Sequence, residues 1–63
     1  MDFEYYQSLP YLLKVEEVAA ILRIGRNAAY SLVNRGEIRC IHAGRSIRIP
    51  RKALKQFLEL TQQ

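Results

Sequence analysis

The sequence predicts a small α+β domain, mostly helical, built from two short helices, a two-stranded β-hairpin and a closing helix. Three observations predict it. Apolar residues recur at helical spacing over residues 13–22 and again over 29–33, on either side of the three-residue turn Arg23-Ile24-Gly25. Apolar and polar residues then alternate on both sides of Gly44-Arg45, the signature of a hairpin. Pro50 ends that alternation, and a third helical pattern follows it. The 63 residues make one domain. A chain this short buries only about 60% of its unfolded surface, so its core is thin and its stability marginal.

Residues 1–11 read as an arm, with Phe3, Tyr5 and Tyr6 in no sustained period and Pro10 separating them from the body at 12–63. In the first helix Leu13, Val15, Val18, Ala19 and Leu22 share a face, and Glu16 and Glu17 sit in the first turn, where the helix dipole favours anions. Ala19 is small enough to let a second helix approach. That helix turns Ala29, Leu32 and Val33 inward and ends at Gly36, a C′ glycine. Its outward positions are Arg26, Asn27, Tyr30, Ser31, Asn34 and Arg35.

In the hairpin, Ile41 and Ala43 are expected to face the core with Ile47 and Ile49, leaving Cys40, His42, Ser46 and Arg48 on the other side. The last helix, from Pro50, buries Leu54, Phe57 and Leu58. A lone hairpin or short helix is unstable, so all elements must share one core. The expected core is Leu13, Val15, Val18, Ala19, Leu22, Ile24, Ala29, Leu32, Val33, Ile38, Ile41, Ile47, Ile49, Leu54, Phe57 and Leu58.

Charge narrows the function. The net +4 conceals an acidic start: residues 1–22 hold Asp2, Glu4, Glu16 and Glu17 against Lys14, or −3. Residues 23–55 hold Arg23, Arg26, Arg35, Arg39, Arg45, Arg48, Arg51, Lys52 and Lys55 against Glu37, or +8. Such a block is the footprint of a polyanion partner. Paired carboxylates, a nucleophile with a base, metal-ligand spacing and a glycine-rich phosphate loop are all missing from the sequence, which makes an enzyme the weakest reading and calls for no cofactor. Cys40 is the single cysteine, a small semi-buried filler that fits a reducing cytoplasm. No apolar run approaches a membrane span.

The second helix carries the chemistry of base reading. A duplex major groove admits a helix, Arg26 can pair bidentately with guanine, and Asn27 or Asn34 with adenine, each worth about 1–3 kcal/mol of discrimination. Ser31 reads a base or phosphate at close approach. Tyr30 has two equal readings: a half-buried ring packed on the hairpin, or a hydroxyl donated to phosphate. Arg35 touches backbone or complements the helix dipole. On the hairpin, Arg45 at the tip, with Ser46 and with Arg48 or His42 beside it, suits a neighbouring minor groove, whose A·T-rich form has enhanced negative potential. For His42 an exposed strand position without special chemistry is the favoured reading.

The ordered set Leu13-Lys14-Val15-Glu16-Glu17-Val18-Ala19, Arg26, Tyr30, Gly36-Glu37-Ile38, Gly44-Arg45, Arg48-Ile49-Pro50, Leu54 and Phe57-Leu58 resembles the excisionase-type winged helix-turn-helix domain, a relative of the mercury-resistance-regulator DNA-binding fold. The hairpin is then the wing. The resemblance implies a non-catalytic binder of double-stranded DNA, often one that bends a site so that an integrase can excise a mobile element. It also implies a bacterial, cytoplasmic and nucleoid-associated setting, an integrase partner and cooperative self-association on DNA. Small transcription regulators use the same fold, and a protein-interaction module facing an acidic partner is the reading from outside the DNA class.

The chain departs from that pattern in places. Lys14 stands at the first helix's cap where Ser or Thr is usual, costing about 1 kcal/mol. Arg23 occupies a turn position where glycine is favoured and is expected at positive φ. Gly25 caps the second helix. Arg51 and Lys52 put cations at the positive end of the last helix, an arrangement that suits phosphate, and with Arg23 they are the expected backbone contacts.

Overall fold

The computed structural model describes residues 7–61. Phe3, Tyr5 and Tyr6 of the arm lie outside the described residues. In chain order the elements are β1 (Leu12–Leu13), α1 (Val15–Leu22), α2 (Arg26–Asn34), β2 (Ile41–Ala43), β3 (Ser46–Pro50) and α3 (Arg51–Thr61). The helix, turn, helix, hairpin and closing helix of the sequence reading are all present.

The N-terminus of α1 lacks a side-chain acceptor, because the Lys14 ammonium can only donate. The other half of a capping box compensates: the Lys14 amide donates to Glu17 Oε1 at 2.9 Å. At the other end Arg23 takes the left-handed conformation, φ 58° and ψ 44°. The Ile24 amide reaches back to the Ala19 carbonyl at 3.0 Å and the Arg23 amide to Ala20 at 3.2 Å, the paired bonds of a Schellman ending. The same device closes α2. Gly36 has φ +77°, its amide bonds the Val33 carbonyl at 3.1 Å, and the Glu37 amide bonds Leu32 at 3.0 Å. Two identical stops therefore bracket α2, one built on glycine and one on arginine.

The sheet has three strands in the order β1-β3-β2, both pairings antiparallel. The sequence reading held two strands, capped the first helix at Lys14 and counted Leu13 on that helix's inner face. Leu13 instead pairs with Ile49 in the sheet, and the helix starts at Val15. Two residues are too short a strand to display a period of 2.

The hairpin register corrects the expected facing. Ala43 pairs with Ser46, so Gly44 and Arg45 alone form the turn, with Gly44 at φ +63° as the first central residue of a type II′ geometry requires. A two-residue turn places Ile41 opposite Arg48 and His42 opposite Ile47. Directly opposed residues share a face. Ile41 and Ala43 therefore stand with Arg48 and Ser46 on the outer face, and Ile41 is 46% exposed rather than in the core. Ile24, also expected inside, is carried to the surface by the left-handed turn before it.

The core consists of Leu13, Val15, Val18, Ala19, Ala29, Val33, Ile38, Ile49, Ala53 and Leu54. Leu22, Leu32, Ile47, Phe57 and Leu58 pack against it half-buried. Ala53 is an addition to the expected set. Ala19 and Ala29 are buried on facing helices, and small side chains there let α1 and α2 cross closely. Burying α2 on Ala29 and Val33 leaves its polar positions outside.

Candidate nucleic-acid interface

Along α2 the exposed residues include Arg26, Asn27, Ser31 and Asn34, with Tyr30 half-buried. Arg26, in the first turn, does not extend freely. Its Nη2 lies 3.4 Å from Glu16 Oε1 on α1, and its guanidinium stands 5.6 Å from the Tyr30 ring centroid. Tyr30, through hydrogen bonding and charge, and then Glu16 raise the Arg26 pKa above its ordinary value, so the cation is held firmly protonated.

A groove of about 300 Å³ runs between the start of α1 and the wing. It is lined by Lys14, Val15 and Glu16, by Tyr30 of α2, and by Arg45, Ser46, Ile47 and Arg48. Tyr30 faces the wing residues Arg45, Ser46, Ile47 and Arg48 across this groove. Of the expected site residues, the groove gathers Tyr30, Arg45, Ser46 and Arg48, with Arg26 joined to it through Glu16 and Tyr30. Arg48 is half-buried, its Nη1 donating to the Ile47 carbonyl at 3.0 Å. Lys14 and Glu16 were not among the expected site residues. The turn between the helices brings residue 16 beside residue 26, a proximity that no spacing in the sequence announces.

The other expected residues lie apart from this groove. Arg35 is exposed and paired with Glu37 at 2.8 Å. Arg23 is exposed at the helix–helix turn. His42 is exposed, its Nε2 3.8 Å from the half-buried Cys40 Sγ. Lys52 lines a second groove of about 250 Å³ with Tyr11, Arg39, Pro50, Ala53 and Gln56, at the end of β3 away from the wing tip. The two grooves share no residue.

Arg51, expected at phosphate, is engaged inside the protein. Its Nη1 donates to the Leu9 carbonyl at 2.8 Å and to the Gln7 carbonyl at 3.2 Å, and the guanidinium stands 6.0 Å from the Tyr11 ring. Its amide also bonds the Tyr11 carbonyl at 2.9 Å. These contacts fasten residues 7–11 to the start of α3. Among the described residues no helix is long and apolar enough to cross a membrane.

Comparison with known proteins agrees with this architecture. The family model described as a helix-turn-helix domain matches residues 12–59. A Mycobacterium tuberculosis protein, found alike in two strains and named provisionally as DNA-binding, is 41% identical over 56 residues, covering 89% of this chain and 72% of its own length. A Saccharopolyspora erythraea protein named provisionally as an excisionase is 48% identical over 46 residues, covering 73% of this chain but only 47% of its own. No solved structure matches. With the match spanning both helices, the wing and most of α3, the chain belongs to the helix-turn-helix domain family.

Proposed function

We propose that this protein is a sequence-specific, non-catalytic binder of double-stranded DNA, of excisionase type, that marks or bends a site for an integrase. The observation that carries the reading is the outward face of α2, set beside a wing whose Arg45 and Arg48 flank the same groove as Tyr30. In this reading Arg26, Asn27, Ser31 and Asn34 meet base edges in the major groove. Arg45 and Arg48, with Ser46 alongside, follow the adjacent minor groove, while His42, opposite Ile47 on the other face of the hairpin, is left out of it. Arg23, exposed at the end of α1, and Arg35, exposed at the end of α2, reach the phosphate backbone. Arg51 holds residues 7–11 rather than phosphate, and Lys52 is the α3 cation left exposed for a backbone contact.

A module of this size covers about 600–1,000 Å² on DNA, a modest grip. Adjacent copies or a recombinase partner would supply the rest, and Leu60, 72% exposed on α3, is an apolar point of contact for them. The excisionase relative supports the integrase assignment. The mycobacterial relative, named for DNA binding alone, supports the second reading of a small transcription regulator.

Footprinting over the end of a mobile element, with and without integrase, tests the proposal. Protection that becomes stronger or longer with integrase is the expected result. Protection of the chain's own promoter and of no element end would favour the regulator. Backbone amides that do not shift with duplex at low salt would leave the protein-interaction module.

A further inference from the structure

The geometry points to Glu16 as a specificity-determining residue: from α1 it holds Arg26 of α2 in one orientation above Tyr30, so that the guanidinium meets DNA as a directed fork. The inference rests on the proposed reading of α2 as the element that meets base edges. Three features of the site carry it.

First, the contact joins two elements rather than two turns of one helix. Glu16 Oε1 approaches Arg26 Nη2 at 3.4 Å across the inter-helix turn, while the Tyr30 ring lies 5.6 Å from the same guanidinium. The carboxylate occupies one end of the fork. A guanidinium has five N–H donors, so the remaining ones stay free for the paired acceptors of a guanine. Second, the pair is 68% and 51% exposed, so it contributes little to folding. Its weight falls on the unbound state of the site, because an arginine already held in position loses less freedom when it binds.

Third, among the described residues Glu16 is the one acidic residue lining a groove that also displays Lys14, Arg45 and Arg48. A carboxylate there repels phosphate and weakens binding to every sequence alike. An untethered Arg26 would do the opposite, swinging to phosphates regardless of sequence. Glu16 therefore lowers non-specific affinity and supports base reading at once. Specificity is a difference between affinities: the uniform repulsion leaves that difference unchanged, whereas the tether raises it, because an Arg26 that swings to phosphate in the wrong complex must give up Glu16.

The test uses the full chain and a pool of random duplexes. Preferred sites are selected from the pool with the wild type, and Kd is then measured on a selected and a random duplex for wild type, Arg26→Ala, Glu16→Gln and Glu16→Asp. Glu16→Gln should bind random duplex more tightly while its selected-to-random ratio falls about 2- to 5-fold, the range of an exposed ion pair. Its lost preference should fall at the base position that Arg26→Ala also loses. Glu16→Asp keeps the charge but shortens the reach, so random binding should rise less than in Glu16→Gln while the ratio still falls.

Damage to the fold would lower both affinities together and leave the ratio unchanged, and that result overturns the inference. So does a Glu16→Gln protein that keeps the wild-type preference while Arg26→Ala loses it. In that case the reading of α2 survives and only the role of Glu16 fails. A wild type with no preferred sequence would remove the reading of α2 and this inference with it.

Discussion

Arg23→Gly should make the protein more stable and a weaker DNA binder. Arg23 ends α1 in the left-handed region, φ 58° and ψ 44°, where a Cβ crowds the backbone at about 1–2 kcal/mol. Glycine removes that strain but loses about 0.5–1 kcal/mol more chain entropy on folding. The Arg23 side chain is exposed, so no packing is forfeited. The net gain is about 0.5–1 kcal/mol, which for a domain of this size raises Tm by about 2–8 °C. Thermal unfolding by circular dichroism measures it, with Arg23→Ala as the control that keeps the strain and loses the charge. On DNA both variants should lose one phosphate contact, making the slope of log K against log salt shallower by about 0.9. If glycine and alanine give equal Tm values, strain at this turn is not what Arg23 costs the fold. If both bind DNA with the wild-type salt slope, Arg23 is not a backbone contact.

The mirror experiment is Gly36→Ala. At Gly36 an added Cβ would meet nothing within 4 Å, so the penalty is the φ of +77°, offset in part by alanine's smaller loss of chain entropy, and denaturant titration should show a net loss of about 0.5–1 kcal/mol. Ile49→Ala empties a side chain with 0% exposure at the middle of the sheet and should cost about 2–5 kcal/mol, enough to leave so small a domain largely unfolded at 37 °C by circular dichroism. Arg51→Ala removes two charge-assisted bonds to the Gln7 and Leu9 carbonyls; it should lower stability by about 1–2 kcal/mol and speed amide exchange over residues 7–11, with little change in affinity for DNA. Wild-type affinity should fall about 10²- to 10⁴-fold between 50 and 200 mM salt, corresponding to roughly 4–7 neutralised phosphates in a binding titration.

Helical spacing, the glycine stop at Gly36 and the turn at Gly44-Arg45 were legible because each is local. A period of 3.6 and a left-handed glycine signal themselves within a few residues. Even the positive φ of Arg23 followed from local reasoning, since the turn needs a left-handed residue and offers no glycine at that place. The register of the hairpin was less accessible. Alternation alone cannot say which residues of two strands share a face; Ile41 and Ala43 were grouped with Ile47 and Ile49 because all four are apolar, whereas the pairing across Gly44-Arg45 sets Ile41 opposite Arg48. Leu12–Leu13 escaped notice because a strand of two residues is defined by its partner, β3, and not by its own pattern.

The candidate site divides along the same line. The sequence by itself determined that α2 would bury Ala29 and Val33 and turn Arg26, Asn27, Ser31 and Asn34 outward, because one helix face must enter the core and the other cannot. It also determined a basic middle and a wing bearing Arg45 and Arg48. Only the tertiary structure decided which of these charges are free to act. It set Arg26 against Glu16 and Tyr30, committed Arg51 to the Gln7 and Leu9 carbonyls, and separated Lys52 from the wing groove. An ion pair forms wherever folding brings two charges within a few ångströms, and distance along the chain carries little information about that.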